Sequence, residues 1–121
     1  MTGRNSDNGS VERQILNGLG MEWALAVSEL SSEYRNHLKR PLFRLSDVPG
    51  RLGQWDADKR EICLNRRLAF DHPWDEVRDV LLHEMAHQLA QEVLGADGES
   101  SHGPTFRKAC ALLRANPQAS G

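Results

Sequence analysis

With 121 residues, 39% of them hydrophobic and 26% charged, the chain has the composition of one ordinary soluble globular domain. Its 15 Lys and Arg nearly balance 17 Asp and Glu, for a formal net charge of -2, so no global field favours nucleic acid or an anionic membrane. Cys63 in "EICLN" and Cys110 in "KACALL" suit small buried core residues better than a secreted disulfide framework, and two thiols cannot build a four-thiolate zinc ribbon.

The opening "MTGRNSDNGS" is polar and lacks the apolar run of a signal peptide, and no later stretch approaches a membrane span. The expectation is a cytoplasmic protein with no membrane partner. Residues 1–10 read as a disordered tail, 11–114 as a single domain and 115–121 as a C-terminal tail. "VERQILNGLGMEWALAVSELSSEYRNHL" has apolar residues at helical spacing, predicting one or two helices ending near Leu38, with Gly18 and Gly20 as a candidate break. Pro41 stops that pattern, and "LFRLSDV" alternates as a half-buried strand does. "RLGQW" and "REICLN" flank "DADK", a polar segment of hairpin-loop length, which predicts a β-hairpin and a small three-stranded sheet.

Residues 65–73 are mixed. "HPWDEVRDVLLHEMAHQLAQEVLG" then opens with Pro73, carries Asp75 and Glu76 in its first turn and closes with Gly95, which predicts a helix of about twenty residues. "ADGESSHGP" is a loop by composition, "TFRKACALLRA" a short amphipathic helix with Phe106, Cys110 and Leu113 on one face.

On the long helix His83 and His87 stand four residues apart, so their rings leave one face a turn apart, with Glu84 on an adjacent flank. Two imidazoles so spaced reach one zinc ion, while the neighbouring carboxylate addresses its water. Zinc lowers the pKa of that water to about 7, and Glu84 is placed to take its proton as hydroxide attacks a carbonyl. Leu81, Leu82, Met85, Ala86, Leu89 and Val93 form an apolar arc that leaves both histidines on the opposite side, so they do not belong to the main core stripe; Ala90 and Leu94 lie near the histidine face, which is expected to be partly buried, as the floor of a cleft is.

A hydrolytic zinc site takes three protein ligands and keeps one position for water. The metzincin spacing would place the third histidine at 93 and a glycine at 90, where this chain has Val93 and Ala90. The later glutamates serve no better: Glu92 is turned away on the same helix and Glu99 lies in a loop. His102, in "SSHGPTF", is the better candidate, with Gly103 permitting an unusual backbone and Pro104 fit to open a helix. His37 and His72 read as a solvated helix-end residue and a loop residue.

In order and spacing, "RLGQWDADKREICLN", "VLLHEMAHQ" and "SHGPTFRKAC" resemble the hairpin, the HExxH helix and the His-Gly-x-x-Phe segment of the SprT-like zinc metallopeptidases, the group that includes the Spartan proteases. The resemblance spans about residues 42–113. It implies a compact α+β zincin-like domain with one catalytic Zn2+ held by His83, His87 and His102, and Glu84 as catalytic base. The implied substrate is a protein or peptide. Many members carry a zinc ribbon or other DNA-binding segments; the net charge gives DNA no support, and clusters such as Arg66-Arg67 and Arg107-Lys108 read as solvated faces. Two alternatives keep the site: a zinc hydrolase of another amide or a phosphodiester, and a non-catalytic binding module held together by zinc. Tyr34 is the only tyrosine, and no oxyanion-stabilising residue is singled out.

Overall fold

The computed structural model describes residues 3–120, and among these it forms an α+β domain of five helices and one three-stranded sheet. The elements are α1 (Gly3–Ser28), α2 (Ser32–Arg35), β1 (Leu42–Ser46), β2 (Gly53–Asp56), β3 (Glu61–Asn65), α3 (Arg66–Asp71), α4 (Trp74–Glu92) and α5 (Pro104–Leu113). None of the described helices is long and apolar enough to cross a membrane.

The predicted hairpin forms: β2 pairs antiparallel with β3, Trp55 opposite Ile62, around the turn at "DADK". β1 pairs parallel with β3 on the other side, giving the order β1-β3-β2 and leaving β2 as an edge strand. The central strand is buried from Glu61 to Leu64. Its one charge is satisfied by Arg44 Nε, which donates to Glu61 Oε1 at 3.1 Å, and by the Cys63 thiol, also at 3.1 Å.

Three features differ from the sequence reading. α1 begins at Gly3, so it takes in most of the stretch expected to be a disordered tail; Met1 and Thr2 lie outside the described residues. That stretch has no proline, and extending an existing helix adds a hydrogen bond for each residue fixed. Gly18 and Gly20 do not break α1, because both are close-approach points: a Cβ at Gly18 would meet the Trp74 ring at 3.0 Å, and one at Gly20 would strike the Arg40 guanidinium. The mixed segment after β3 forms α3, six residues capped by Asn65 Oδ1, which accepts from Leu68 N at 3.0 Å.

α4 is buried on nearly all sides, since it touches the sheet, α1 and α5. Leu81, Met85 and Leu89 are fully buried with Leu19 of α1 and Ile62 and Leu64 of β3, each contributing about 1.5–3 kcal/mol. Gln88, also fully buried, accepts from Trp23 Nε1 at 3.0 Å and donates to Lys39 O at 2.9 Å, so its amide is satisfied and ties α1 and the β1 approach to α4. The histidine side of α4 is therefore a second buried face, covered by α5, and not a flank opposite the core. Arg66 bridges Glu12 and Asp47, so one cation of the Arg66-Arg67 cluster is neutralised within the fold.

Candidate metal centre

His83 and His87 leave α4 one turn apart, and the loop before α5 brings His102 to them. The ring centroids lie 5.1 Å (His83–His87), 5.5 Å (His83–His102) and 5.0 Å (His87–His102) apart. One donor atom from each histidine lies within 4.8 Å of the other two. His83 is fully buried, His87 half-buried and His102 exposed, so the cluster passes from core to solvent.

Several groups hold this arrangement. His83 Nδ1 lies 3.1 Å from the carbonyl oxygen of Asn116. A carbonyl only accepts, so Nδ1 carries the proton and Nε2 is the nitrogen that could face a metal ion. Phe106, on the first turn of α5, stacks on His87 at 4.2 Å and meets the edges of His83 and His102 at 5.0 and 4.9 Å. The loop carrying His102 is fixed by Glu99, whose carboxylate accepts from Thr105 N at 3.0 Å and from the Thr105 hydroxyl. This caps α5, which opens at Pro104 after Gly103 as its sequence predicts.

Burial pushes the His87 imidazolium down to about 4, with His83 and His102 adding repulsion, so the His87 ring stays neutral near pH 7 and keeps a lone pair to donate. Glu84 is 2% exposed, and burial raises its carboxyl to about 7 against the pull of the Ser120 side chain, the Trp55 backbone amide and Arg51. Three imidazoles, no thiolate and a neighbouring carboxylate form a donor set that fits a borderline-soft ion such as zinc with a position left for a further ligand.

His87 and Glu84 line a groove of about 990 Å³ that runs between β2, the end of α4 and the start of α5. Trp55 closes part of its wall, with Nε1 donating to Gln91 Oε1 at 2.6 Å. Gly53 makes the approach possible: a Cβ there would meet Val80 Cγ1 at 2.9 Å and Glu84 Cγ and Oε2 at 3.0 and 3.1 Å. Gly53→Ala is expected to destabilise the fold by about 1–3 kcal/mol and to shift Glu84, measured by thermal melting with a parallel assay of activity.

The other sequence candidates fall away from the centre. Glu92 binds Arg60 at 2.6 and 2.7 Å, His72 pairs with Glu76 at 2.8 Å on the surface, and His37 is exposed. Tyr34 packs against the hydrophobic core and is not part of the groove wall. Cys63 and Cys110 are buried free thiols. Phe106, Gly53, Asn116 and Ser120 were not read as site residues; only Phe106 had a local signal, four residues after His102 within "HGPTF".

The opposed shifts of His87 and Glu84 act across nearly one pH window, so they are separable only when one is removed. In metal-free Glu84→Gln protein, the unfolded chain takes up a proton at His87 near pH 6.5 and the folded chain only near 4. The His87 contribution is thus present above about 6.5 and is lost as pH falls towards 4. Denaturant titration of that variant should show stability lower by about 1–2 kcal/mol at pH 5 than at pH 7. An unchanged midpoint would contradict it.

Fold and site together define a small α+β domain with a three-histidine cluster suited to a metal ion. The chain belongs to the SprT-like family, whose profile matches residues 22–120 and so takes in the sheet, α4, α5 and the segment after it. Neither the curated proteins nor the solved structures searched contain a match to it.

Proposed function

We propose that this chain is a zinc-dependent metallopeptidase of zincin-like architecture, an endopeptidase cleaving peptide bonds within polypeptides. The observation that carries the reading is the buried Glu84 carboxyl beside a three-histidine cluster, with Glu84 and His87 on the wall of one open groove. His83, His87 and His102 would hold the ion. A bound zinc supplies Lewis acidity towards water and towards a carbonyl oxygen.

The remaining chemistry belongs to the chain. Glu84, with a carboxyl near 7, is matched to taking a proton from the attacking water and returning it to the leaving amine at neutral pH. The Asn116 carbonyl fixes the His83 tautomer, and Phe106 keeps bulk water from the inner side of the three rings. β2 is the edge strand of the sheet and borders the groove, so an extended chain could lie along it, which favours a polypeptide over a compact substrate.

The test is cleavage of an unfolded protein by the zinc-loaded chain, before and after removal of metal with a chelator. The reading expects cleavage that stops on chelation and returns with one equivalent of zinc. Cleavage indifferent to the chelator would refute it.

A further inference from the structure

The residues after α5 do not run away from the domain. α5 ends at Arg114 in a left-handed conformation (φ 55°), and Ala115 N then donates back to Cys110 O at 2.8 Å, turning the chain towards the metal centre. Asn116 is the anchor. Its carbonyl receives His83 Nδ1 at 3.1 Å and Ala119 N at 3.2 Å, while its side-chain Oδ1 accepts from Gln118 N at 2.9 Å.

Beyond that anchor the chain forms part of the groove wall. Gln118, Ala119 and Ser120 line it together with Glu84 and His87, and Gln118 and Ser120 also border a second hollow beside His102 and Phe106. The Ser120 hydroxyl is buried beside the Glu84 carboxylate. A peptide bond to be cleaved must reach this same place.

We propose that residues 117–120 form an autoinhibitory strap that narrows the groove beside Glu84 and swings out about Asn116 when a polypeptide substrate enters. The proposal rests on the metallopeptidase reading for the identity of what the strap excludes. The strap's hold is light. Among the described residues it consists of one reverse turn and the burial of the Ser120 hydroxyl, with Asn116, Pro117 and Gln118 exposed to solvent. An incoming chain therefore has few interactions to displace, and the anchor on His83 stays in place while the strap opens. Apparent affinity for substrate is lowered by the fraction of molecules that are closed.

The experiment uses zinc-loaded full chain and a fluorescently labelled unstructured peptide, with binding read by anisotropy. Ala119→Pro removes the amide that closes the turn onto Asn116 and adds no charge near the metal. It should bind the peptide about fivefold tighter or better, with zinc content and melting temperature unchanged. Ser120→Ala, which removes only the hydroxyl beside Glu84, should act in the same direction if the proline variant folds poorly. In the unsubstituted protein, the Ala119 amide should exchange slowly with solvent and lose that protection on addition of peptide.

Equal affinity in the parent and both variants, or an Ala119 amide still protected in the peptide complex, overturns the strap. The two readings separate cleanly. Tighter binding in the variants without any Glu84-dependent cleavage keeps the strap and rejects the peptidase. Glu84-dependent cleavage with unchanged binding rejects the strap and keeps the peptidase.

Discussion

Glu84→Gln is expected to slow peptide hydrolysis by about 10²- to 10⁴-fold while leaving the zinc content unchanged, the range that loss of a general base costs. Glutamine keeps the shape of a side chain that is 2% exposed and packed against Gly53, so the loss isolates proton transfer from folding. The same change is expected to stabilise the metal-free protein in alkaline solution. The Glu84 carboxyl is raised from 4.5 to about 7 in the folded state, chiefly by burial. Its favourable contribution is therefore complete below about pH 4.5 and is lost as pH rises through 7, whereas glutamine never ionises. Denaturant midpoints of the two metal-free proteins at pH 8 should place the variant above the parent. A variant that loses zinc together with activity would show that Glu84 holds the site and does not serve as the base.

The second large effect is a contrast between two ligands. His83→Ala opens a cavity at a fully buried position and cuts the tie to Asn116 O, so it should cost about 2–4 kcal/mol of stability in the metal-free protein. His102→Ala removes an exposed ring from a loop whose own fixing contacts run through Glu99 and Thr105, and should cost within about 0.5 kcal/mol. Yet both should weaken zinc binding by more than about 100-fold, since the loss of an outer-sphere partner alone costs 10- to 100-fold. Thermal melting with chelator, paired with competitive zinc titration, checks both halves. Parallel losses of stability would mean that the cluster is simply part of the core.

Local chemistry explains why so much of the centre was visible in the amino-acid sequence. Two histidines and a glutamate at helical spacing need only the regularity of α4 to converge, and Pro73, Asp75 and Glu76 announce where that helix starts. His102 was reached through Gly103 and Pro104; Pro104 does open α5, whereas Gly103 has an ordinary extended backbone (φ -75°) and serves instead the close approach of Glu99 and Ser100. The hairpin followed from a polar turn between two apolar runs. What escaped depends on contacts between distant segments. Ala90 and Leu94 already signal a partly buried histidine face, whereas the cover that α5 lays over it is not written in α4. The parallel pairing of β1 with β3 is a choice of neighbour, and α3 is too short to show a period. Gly53 is explained only by Glu84 and Val80, and the Asn116 and Ser120 contacts only by the path taken after Arg114. The polar composition of both ends suggested tails, whereas one end continues a helix and the other turns onto the metal centre.

The central claim is that three imidazoles hold zinc beside Glu84, and X-ray absorption at the zinc edge on purified protein carrying one equivalent of the metal tests it most directly. The arrangement predicts three nitrogen neighbours at about 2.0–2.1 Å and one or two oxygens, with no sulfur. Scattering from sulfur at about 2.3 Å, or a nitrogen count unchanged by His102→Ala, would contradict it.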